Sequence, residues 1–285
     1  MLKLVMDSAG DLPVEWIERY QIHVVPINIH IGEEVYLEDV DLSKDQFYRR
    51  VEETGRIPKT SQPTPQQYQE VYRRIAEPGN VILSIHLTSK LSGTYESAEI
   101  AAVEMAQEGI EVIPYDTRAG TGIQGYMCCE ARVMAQQGAS LEEIIHRLDE
   151  IRDQTEIILA LQSLDFAQKS GRVQMLESIL ASLLKIKPVI YLREGALEIG
   201  KKVRSRLTSL DYVLQEMADR VGDSLVNAAV MHAHDPQMAD AFSEKVQQVL
   251  NCKHFFIEEV SIGIASNLGP GTIGIIAYPV GKGVF

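Results

Sequence analysis

Residues 81–115 read VILSIHLTSKLSGTYESAEIAAVEMAQEGIEVIPY, and this stretch decides the fold. Val81–Ile85 is a short apolar run rich in β-branched residues, Thr88–Gly93 is small and polar, a helix runs on to about Gln107, and Glu111–Tyr115 is strand-like again. Strand, loop, helix and strand at this spacing form a βαβ unit with parallel strands. Working towards the N-terminus, Leu2–Met6 is a strand ending at Asp7-Ser8, followed by Asp11 as a helix N-cap with Pro13 in the first turn. Trp16, Ile17 and Tyr20 form the inward stripe of that helix. Val24–Ile31 and Val35–Val40 flank Gly32 and predict a β-hairpin excursion over 22–42, whereas Arg56–Pro65 reads as mostly loop. Ser43 with Gln46 and Ser140 with Glu143 are capping boxes, and Thr64 caps a helix that has Pro65 first and Gln67 third. A further helix spans about Gly122 to Gln136.

These elements predict an α/β fold of two lobes. Residues 1–155 form an N-terminal doubly wound, mostly parallel sheet with helices on both faces. Residues 156–285 form a C-terminal α+β lobe on a mixed sheet: Ile157–Leu161, two short helical segments, a hairpin about Glu194-Gly195-Ala196, then helix, strand, helix, strand, strand. No Gly/Ser linker separates the lobes, so the cleft between them is the default ligand site.

The chain has 285 residues, 45% of them hydrophobic, and 40 acidic against 27 basic side chains give a formal charge of −13. That is enough to bury a core without staples, and so acidic a balance argues against a nucleic-acid surface. No apolar run reaches the ~20 residues that span a bilayer, and Met1–Gly10 does not read as a signal peptide, so the expected location is cytoplasmic. Cys128, Cys129 and Cys252 give neither a disulfide framework nor a CxxC pair, and the first two read as small core residues. From Lys185 to Arg206 the charge reverses, with seven basic residues (Lys185, Lys187, Arg193, Lys201, Lys202, Arg204, Arg206) against Glu194 and Glu198. This segment reads equally as an edge hairpin guarded by exposed lysines or as a docking surface for an anionic partner.

Three motifs suggest chemistry without the context it needs. Gly120-Thr121-Gly122-Ile123-Gln124-Gly125 matches G-x-G-x-x-G, but it follows the fourth strand of its lobe, and its helix leads into another helix, so the glycines read as easing a loop into a helix. His232-Ala233-His234 lacks a third metal ligand at a suitable spacing and reads as a buried or half-buried pair at a strand end. Ser92 lies outside any Gly-x-Ser-x-Gly elbow, although His86 is on the same stretch, and a serine-dependent acyl-ester hydrolase with Ser92 or Thr60 as nucleophile is the alternative reading.

What remains is a set of small hydroxyls in loops at or near strand C-termini: Ser8, Thr60-Ser61-Gln62, Ser89, Ser92-Gly93-Thr94 and Thr117. Ligands of doubly wound sheets bind beyond the carboxyl ends of the strands, and a helix starting at Gly93 aims free N–H groups there. Hydroxyl donors without a dedicated Lys or Arg suit a singly charged group, a carboxylate better than a triphosphate. Each hydroxyl taken singly reads more readily as a helix cap.

At these residues the sequence closely resembles the DegV family, fatty-acid-binding proteins that include the FakB subunits of bacterial fatty acid kinase. The resemblance rests on Asp7-Ser8 with Asp11-Leu12, Thr60-Ser61-Gln62-Pro63, Leu91-Ser92-Gly93-Thr94-Tyr95, Asp116-Thr117, Ser170-Gly171-Arg172, Lys187-Pro188, Lys202-Val203-Arg204 and Gly269-Pro270-Gly271. It implies a long-chain fatty acid, of the palmitate or oleate class, in an apolar tunnel, with its carboxylate held by Thr60, Ser61, Ser92, Gly93 and Asn267. It further implies that a separate ATP-dependent kinase converts the bound acid to an acyl phosphate for phospholipid synthesis, and that the protein itself is no enzyme and carries no cofactor beyond its lipid. Arg172, with the basic Lys201, Lys202 and Arg204, is then a supporting or partner-facing group, for the kinase or for transient contact with an anionic membrane. Asn267 stands where the family has histidine; only the imidazole titrates near neutral pH, so a lipid carrier without kinase coupling stays open. Leu176, Ile179, Leu180 and Leu183 recur at helical spacing and fit either tunnel or core.

Overall fold

The computed structural model describes residues 2–170, 186–281 and 285. Gly171, Arg172, the Leu176–Leu183 repeat and Lys185 lie outside the described residues. Four strands form the parallel sheet: β1 (Leu2–Asp7), β2 (Ile22–Val25), β6 (Val81–His86) and β7 (Glu111–Asp116), in the order β2-β1-β6-β7. Three more, β3 (Asn28–Ile31), β4 (Glu34–Leu37) and β5 (Lys59–Ser61), form a small antiparallel sheet ordered β4-β3-β5. The hairpin expected over 22–42 therefore starts later. Ile22–Val25 pairs in parallel with β1, where Val25 is buried, and the excursion gains a third strand from the segment read as loop. Polar Lys59-Thr60-Ser61 has no strand periodicity of its own; pairing with β3 makes it a strand.

Helices cover the parallel sheet on both faces. α3 (Pro65–Ile75) and α4 (Thr94–Gln107) pack on one face through a cluster that includes Tyr68, Tyr72, Ala98, Ala101 and Met105. The capping boxes form as expected at α2 (Lys44–Thr54), α3 and α6 (Leu141–Gln154). Asp11 does not cap α1 (Val14–Arg19). Pro13 occupies that position, and the Asp11 carboxyl turns inward to partners far along the chain.

The six-stranded mixed sheet draws all its strands from residue 156 onward. These are β8 (Glu156–Ala160), β9 (Lys187–Arg193), β10 (Ala196–Val203), β11 (Val226–His232), β12 (Cys252–Glu259) and β13 (Ile273–Pro279), in the order β10-β9-β8-β13-β11-β12. Only β11 and β12 pair in parallel. One short helix follows β8, α7 (Asp165–Ser170); the second one expected falls outside the described residues. α8 (Arg206–Val221) and α9 (Pro236–Val249) cover the outer face, and a short helix not expected from the sequence, α10 (Ile262–Leu268), separates the last two strands.

α5 (Thr121–Gln136) joins the two sheets. Every residue from Thr121 to Arg132 is buried, and the helix contacts β1 and β6 on one side and β11 and β13 on the other. This burial explains the glycine motif. A Cβ on Gly122 would lie 2.6 Å from Ile276 Cδ1 and 2.9 Å from Phe256 Cζ, and one on Gly125 would lie 2.3 Å from Leu12 Cγ. The glycines admit close packing against the mixed sheet on one side and the loop between β1 and α1 on the other, a stronger demand than easing entry into the helix. Tyr126 donates to the Ala228 carbonyl at 2.7 Å, and Arg147 of α6 reaches buried Glu130 at 3.2 Å and the Val280 carbonyl at 2.8 Å, so both helices are also pinned by hydrogen bonds. Cys128 and Cys129 are fully buried on α5.

Candidate functional site

An apolar cavity, open at its mouth, lies between the two larger sheets. Its walls come from residues as far apart as Ala9 and Leu268: Ile27, Leu87 and Leu91 from the first half of the chain, Ile157, Leu159, Leu192, Leu197 and Met231 from the mixed sheet, and Val260, Ile264 and Leu268 around α10. Polar groups gather where Thr60, Ser61, Gln62, Ser92 and Asn267 line it.

Each of these side chains is positioned locally. Thr60 and Ser61 sit on β5, opposite Ile29 and Asn28 of β3. The Ser61 hydroxyl shares a 2.8 Å hydrogen bond with His30 Nε2, and Asn28 Nδ2 donates to the Gln62 carbonyl at 3.0 Å. Ser92 precedes α4; its hydroxyl is 2.6 Å from Thr94 Oγ1 and accepts from the Thr94 N–H at 3.3 Å. Gly93 is the N-cap residue of α4, and the space a Cβ would need there is taken by Gln62, whose Nε2 would lie 2.6 Å away. The Thr-Ser-Gln and Ser-Gly-Thr loops thus pack directly on each other. Asn267, half-buried on α10, donates through Nδ2 to the Gly263 carbonyl at 2.6 Å and to Ser266 Oγ at 3.4 Å. Thr60 and Asn267 also border a neighbouring hollow that carries Lys59 and Lys169.

Of the hydroxyls singled out in the sequence, Thr60, Ser61 and Ser92 converge on the cavity, and the others serve the frame. Ser8 bonds to Glu38 and accepts from the Ile27 N–H, Ser89 donates to Asp116 at 2.6 Å, and Thr117 donates to the His86 carbonyl at 2.8 Å. His86 is fully buried against Asp7 (3.2 Å), Ser84 (2.8 Å) and Tyr68 (3.3 Å), which leaves its ring engaged away from Ser92. The nucleophile–base pair of a hydrolase is therefore not assembled at Ser92. His232 is buried, while the exposed His234 stacks on Tyr48 with ring centroids 4.0 Å apart. Among the described residues no group of three or more His, Cys, Asp or Glu side chains could hold a metal ion, and no helix is long and apolar enough to cross a membrane.

Two buried carboxyl groups anchor α10 beside the cavity, and sequence reasoning missed both roles. Asp11 accepts from the Ser261 N–H at 2.8 Å and from the Thr121 hydroxyl at 2.8 Å. Thr121 has a left-handed backbone (φ 50°), a strained state for a β-branched residue, and its bond to Asp11 helps hold it there. Glu38 accepts from the Gly263 N–H at 3.1 Å as well as from Ser8. Burial pushes Asp11 up to about 7, opposed by the Lys44 charge and by its bonds to Thr121 and Ser261. Burial pushes Glu38 up to about 8, opposed by the Ser8 bond and reinforced by the neighbouring Asp39 and Asp11 charges. Asp11 belongs to a motif visible in the sequence; for Glu38 no local signal exists.

The DegV family model matches residues 1–280. The chain belongs to the DegV family. A DegV domain-containing protein of Halalkalibacterium halodurans is 33% identical over 279 residues, which cover 97% of this chain and 98% of the relative. A solved structure of a DegV family protein from Thermus thermophilus, described as fatty acid binding, superposes with a TM-score of 0.91 at 30% identity, covering 98% of this chain and 99% of the other. A stearic acid-binding protein from Eubacterium ventriosum superposes with a TM-score of 0.92 at 26% identity, covering 98% of both chains. In this DegV chain Thr60, Ser61, Ser92 and Thr121 are the hydroxyl-bearing residues that line the apolar cavity.

The basic segment of this DegV protein lies on an edge strand, as one of its two readings requires. β10 ends the mixed sheet, and Lys201, Lys202 and Arg204 are exposed on and just beyond it. Lys201 lies over the Tyr212 ring at 4.7 Å, Arg193 pairs with Glu198 at 3.6 Å, and Arg206 pairs with Asp235 at 3.3 Å.

Proposed function

We propose that the protein binds one long-chain fatty acid in the apolar cavity, its carboxylate at Thr60, Ser61 and Ser92, and presents it to a separate ATP-dependent kinase that forms the acyl phosphate. The observation that carries this reading is the cavity's lining: a few uncharged polar residues, Thr60, Ser61, Gln62, Ser92, Thr121 and Asn267, interrupt an otherwise apolar wall. Residues 1–155 and 156–285 act as two lobes that both contribute to its walls.

The energetics divide between chain and head group. Burying an acyl chain releases ~0.8 kcal/mol per methylene, about 12 kcal/mol gross for a sixteen-carbon acid, which exceeds typical association costs at their lower end. Each hydroxyl bond to a carboxylate adds about 1.5–3 kcal/mol. The chain supplies affinity, and the hydroxyls set where along the cavity it stops. The N–H groups at the start of α4, next to Gly93, add a favourable field for an anion. Asn267 reaches the head group only by releasing its bond to Gly263 or Ser266.

Kinase coupling rests on the family resemblance and on the engagement of Ser92 with Thr94 and of His86 with Asp7, which leave the activating chemistry to another protein. Asn267 in place of histidine favours the second reading, a carrier that binds lipid without efficient phosphorylation. Native mass spectrometry of protein purified from a bacterial host tests the binding: a stoichiometric adduct of fatty-acid mass is expected, and an empty protein that also refuses added palmitate and oleate refutes it. Acyl-phosphate formation with ATP and a bacterial fatty acid kinase subunit, compared between the wild type and Asn267→His, separates presenter from carrier.

A further inference from the structure

Of the mixed-sheet residues that line the apolar cavity, two also back onto a second pocket. Ile157 of β8 and Leu192 of β9 are direct cross-strand partners, so their side chains lie together on one face of the sheet. Both line the apolar cavity, and both also line a small separate pocket. That pocket is polar, containing Arg118, Arg152, Asp153 and Glu194, with Arg118 3.5 Å from Glu194. Among the described residues, two stretches of the cavity wall are shared with neighbouring pockets. At Thr60 and Asn267 it borders the hollow with Lys59 and Lys169; at Ile157 and Leu192 it stops one side-chain layer short of two guanidinium groups.

We propose that Ile157 and Leu192 form a septum that sets the longest acyl chain the protein accepts. The inference rests on the fatty-acid reading above. With its carboxylate at the hydroxyl loops, a bound chain runs towards the mixed sheet and its methyl end meets the septum. A longer chain must either buckle or drive methylenes among the ion pairs of the polar pocket, where they would displace polar partners and gain no apolar contact. The same layout selects against a different ligand class. Acids carrying a second carboxylate at the far end are excluded while the septum stands, and thinning it would bring that second carboxylate to Arg118.

Competition binding of saturated C12–C24 acids and of octadecanedioic acid to the wild type, Ile157→Ala, Leu192→Ala, Leu192→Phe and Leu197→Ala tests this. Leu197 pairs with Leu192 and lines the cavity but does not border the polar pocket, so its truncation removes wall volume without opening the septum. Wild-type affinity should rise about fourfold per added methylene to a limit and fall at least tenfold beyond it. Ile157→Ala and Leu192→Ala should move the limit outward by two or more carbons and tighten octadecanedioic acid at least tenfold, a gain that Arg118→Gln removes from the Ile157→Ala background. Leu192→Phe should move the limit inward, and Leu197→Ala should leave it in place. Should Ile157→Ala fail to fold, the two substitutions at half-buried Leu192 decide. A limit that stays fixed in the septum variants while palmitate still binds, or that moves as far in Leu197→Ala, overturns the septum alone. A wild type that binds no member of the series overturns the fatty-acid reading and the septum with it.

Discussion

Raising the pH from 5 to 9 should destabilise the protein, because Asp11 and Glu38 keep their protons when folded and lose them when unfolded. Their folded pKa values, about 7 and about 8, lie above the ordinary 3.8 and 4.5. Below about pH 3 both groups are largely protonated in either state. Between their unfolded and folded pKa values the native state binds more protons than the unfolded chain, so stability falls as pH rises, and the loss is complete above about pH 8. Each tenfold difference in proton affinity between the folded and unfolded chain is worth about 1.4 kcal/mol, so the pair accounts for a loss on the order of several kcal/mol. The cause is burial without a close cation. Lys44, the cation whose charge acts on Asp11, pairs instead with Glu258 at 4.0 Å and donates to the Glu259 carbonyl at 2.6 Å. Glu130 and Glu258, also raised by burial, act in the same direction. Urea unfolding followed by the fluorescence of Trp16, the only tryptophan, reports the effect; its ring sits between Phe256 at 5.4 Å and Phe285 at 5.7 Å and so senses contact between the two halves of the chain. With a slope of about 3 kcal/mol per molar urea, the midpoint should drop by roughly 1 M or more from pH 5 to pH 9. Asp11→Asn with Glu38→Gln, which fixes both groups uncharged, should flatten most of that drop. A double variant whose profile runs parallel to the wild type would refute the assignment.

Ser92→Ala and Thr60→Val should each weaken fatty-acid binding about tenfold or more without abolishing it, since each removes one bond to the carboxylate and leaves the chain contacts intact; isothermal titration measures this. Neither the wild type nor Ser92→Ala should release fatty acid from acyl esters, and turnover by clean wild-type protein would revive the hydrolase. Gly122→Ala should cost about 1–3 kcal/mol in thermal or chemical denaturation, because its Cβ would collide with Ile276 and Phe256 where two sheets and α5 meet. Reversing Lys201, Lys202 and Arg204 to Glu should leave lipid affinity unchanged and abolish kinase coupling or binding to anionic vesicles; a variant unaffected in both would reduce the basic hairpin to edge protection.

Features confined to neighbouring residues were legible in the sequence. Ser43 with Gln46, Thr64 with Gln67 and Ser140 with Glu143 satisfy helix N–H groups three residues away, and no distant contact is needed to form them. The alternation from Val81 to Tyr115 likewise sets strand and helix by local periodicity, and with them the parallel sheet. The hydroxyls of the candidate site were visible as residue types, and family resemblance singled out Thr60, Ser61 and Ser92 from the rest. Only tertiary packing separates them physically: Ser8, Ser89 and Thr117 sit in similar loops, yet their bonds go to Glu38, Asp116 and the His86 carbonyl. Asp11 carries the local signature of a helix cap, but burial beside Thr121 and the Ser261 N–H gave it better partners than α1 could. Lys59–Ser61 became a strand because β3 offered an edge. The cavity walls were the least legible part. Ile157, Leu192 and Met231 are apolar strand residues like their neighbours in the core, and whether such a side chain meets another side chain or an empty space depends on how two sheets far apart in sequence come together around α5.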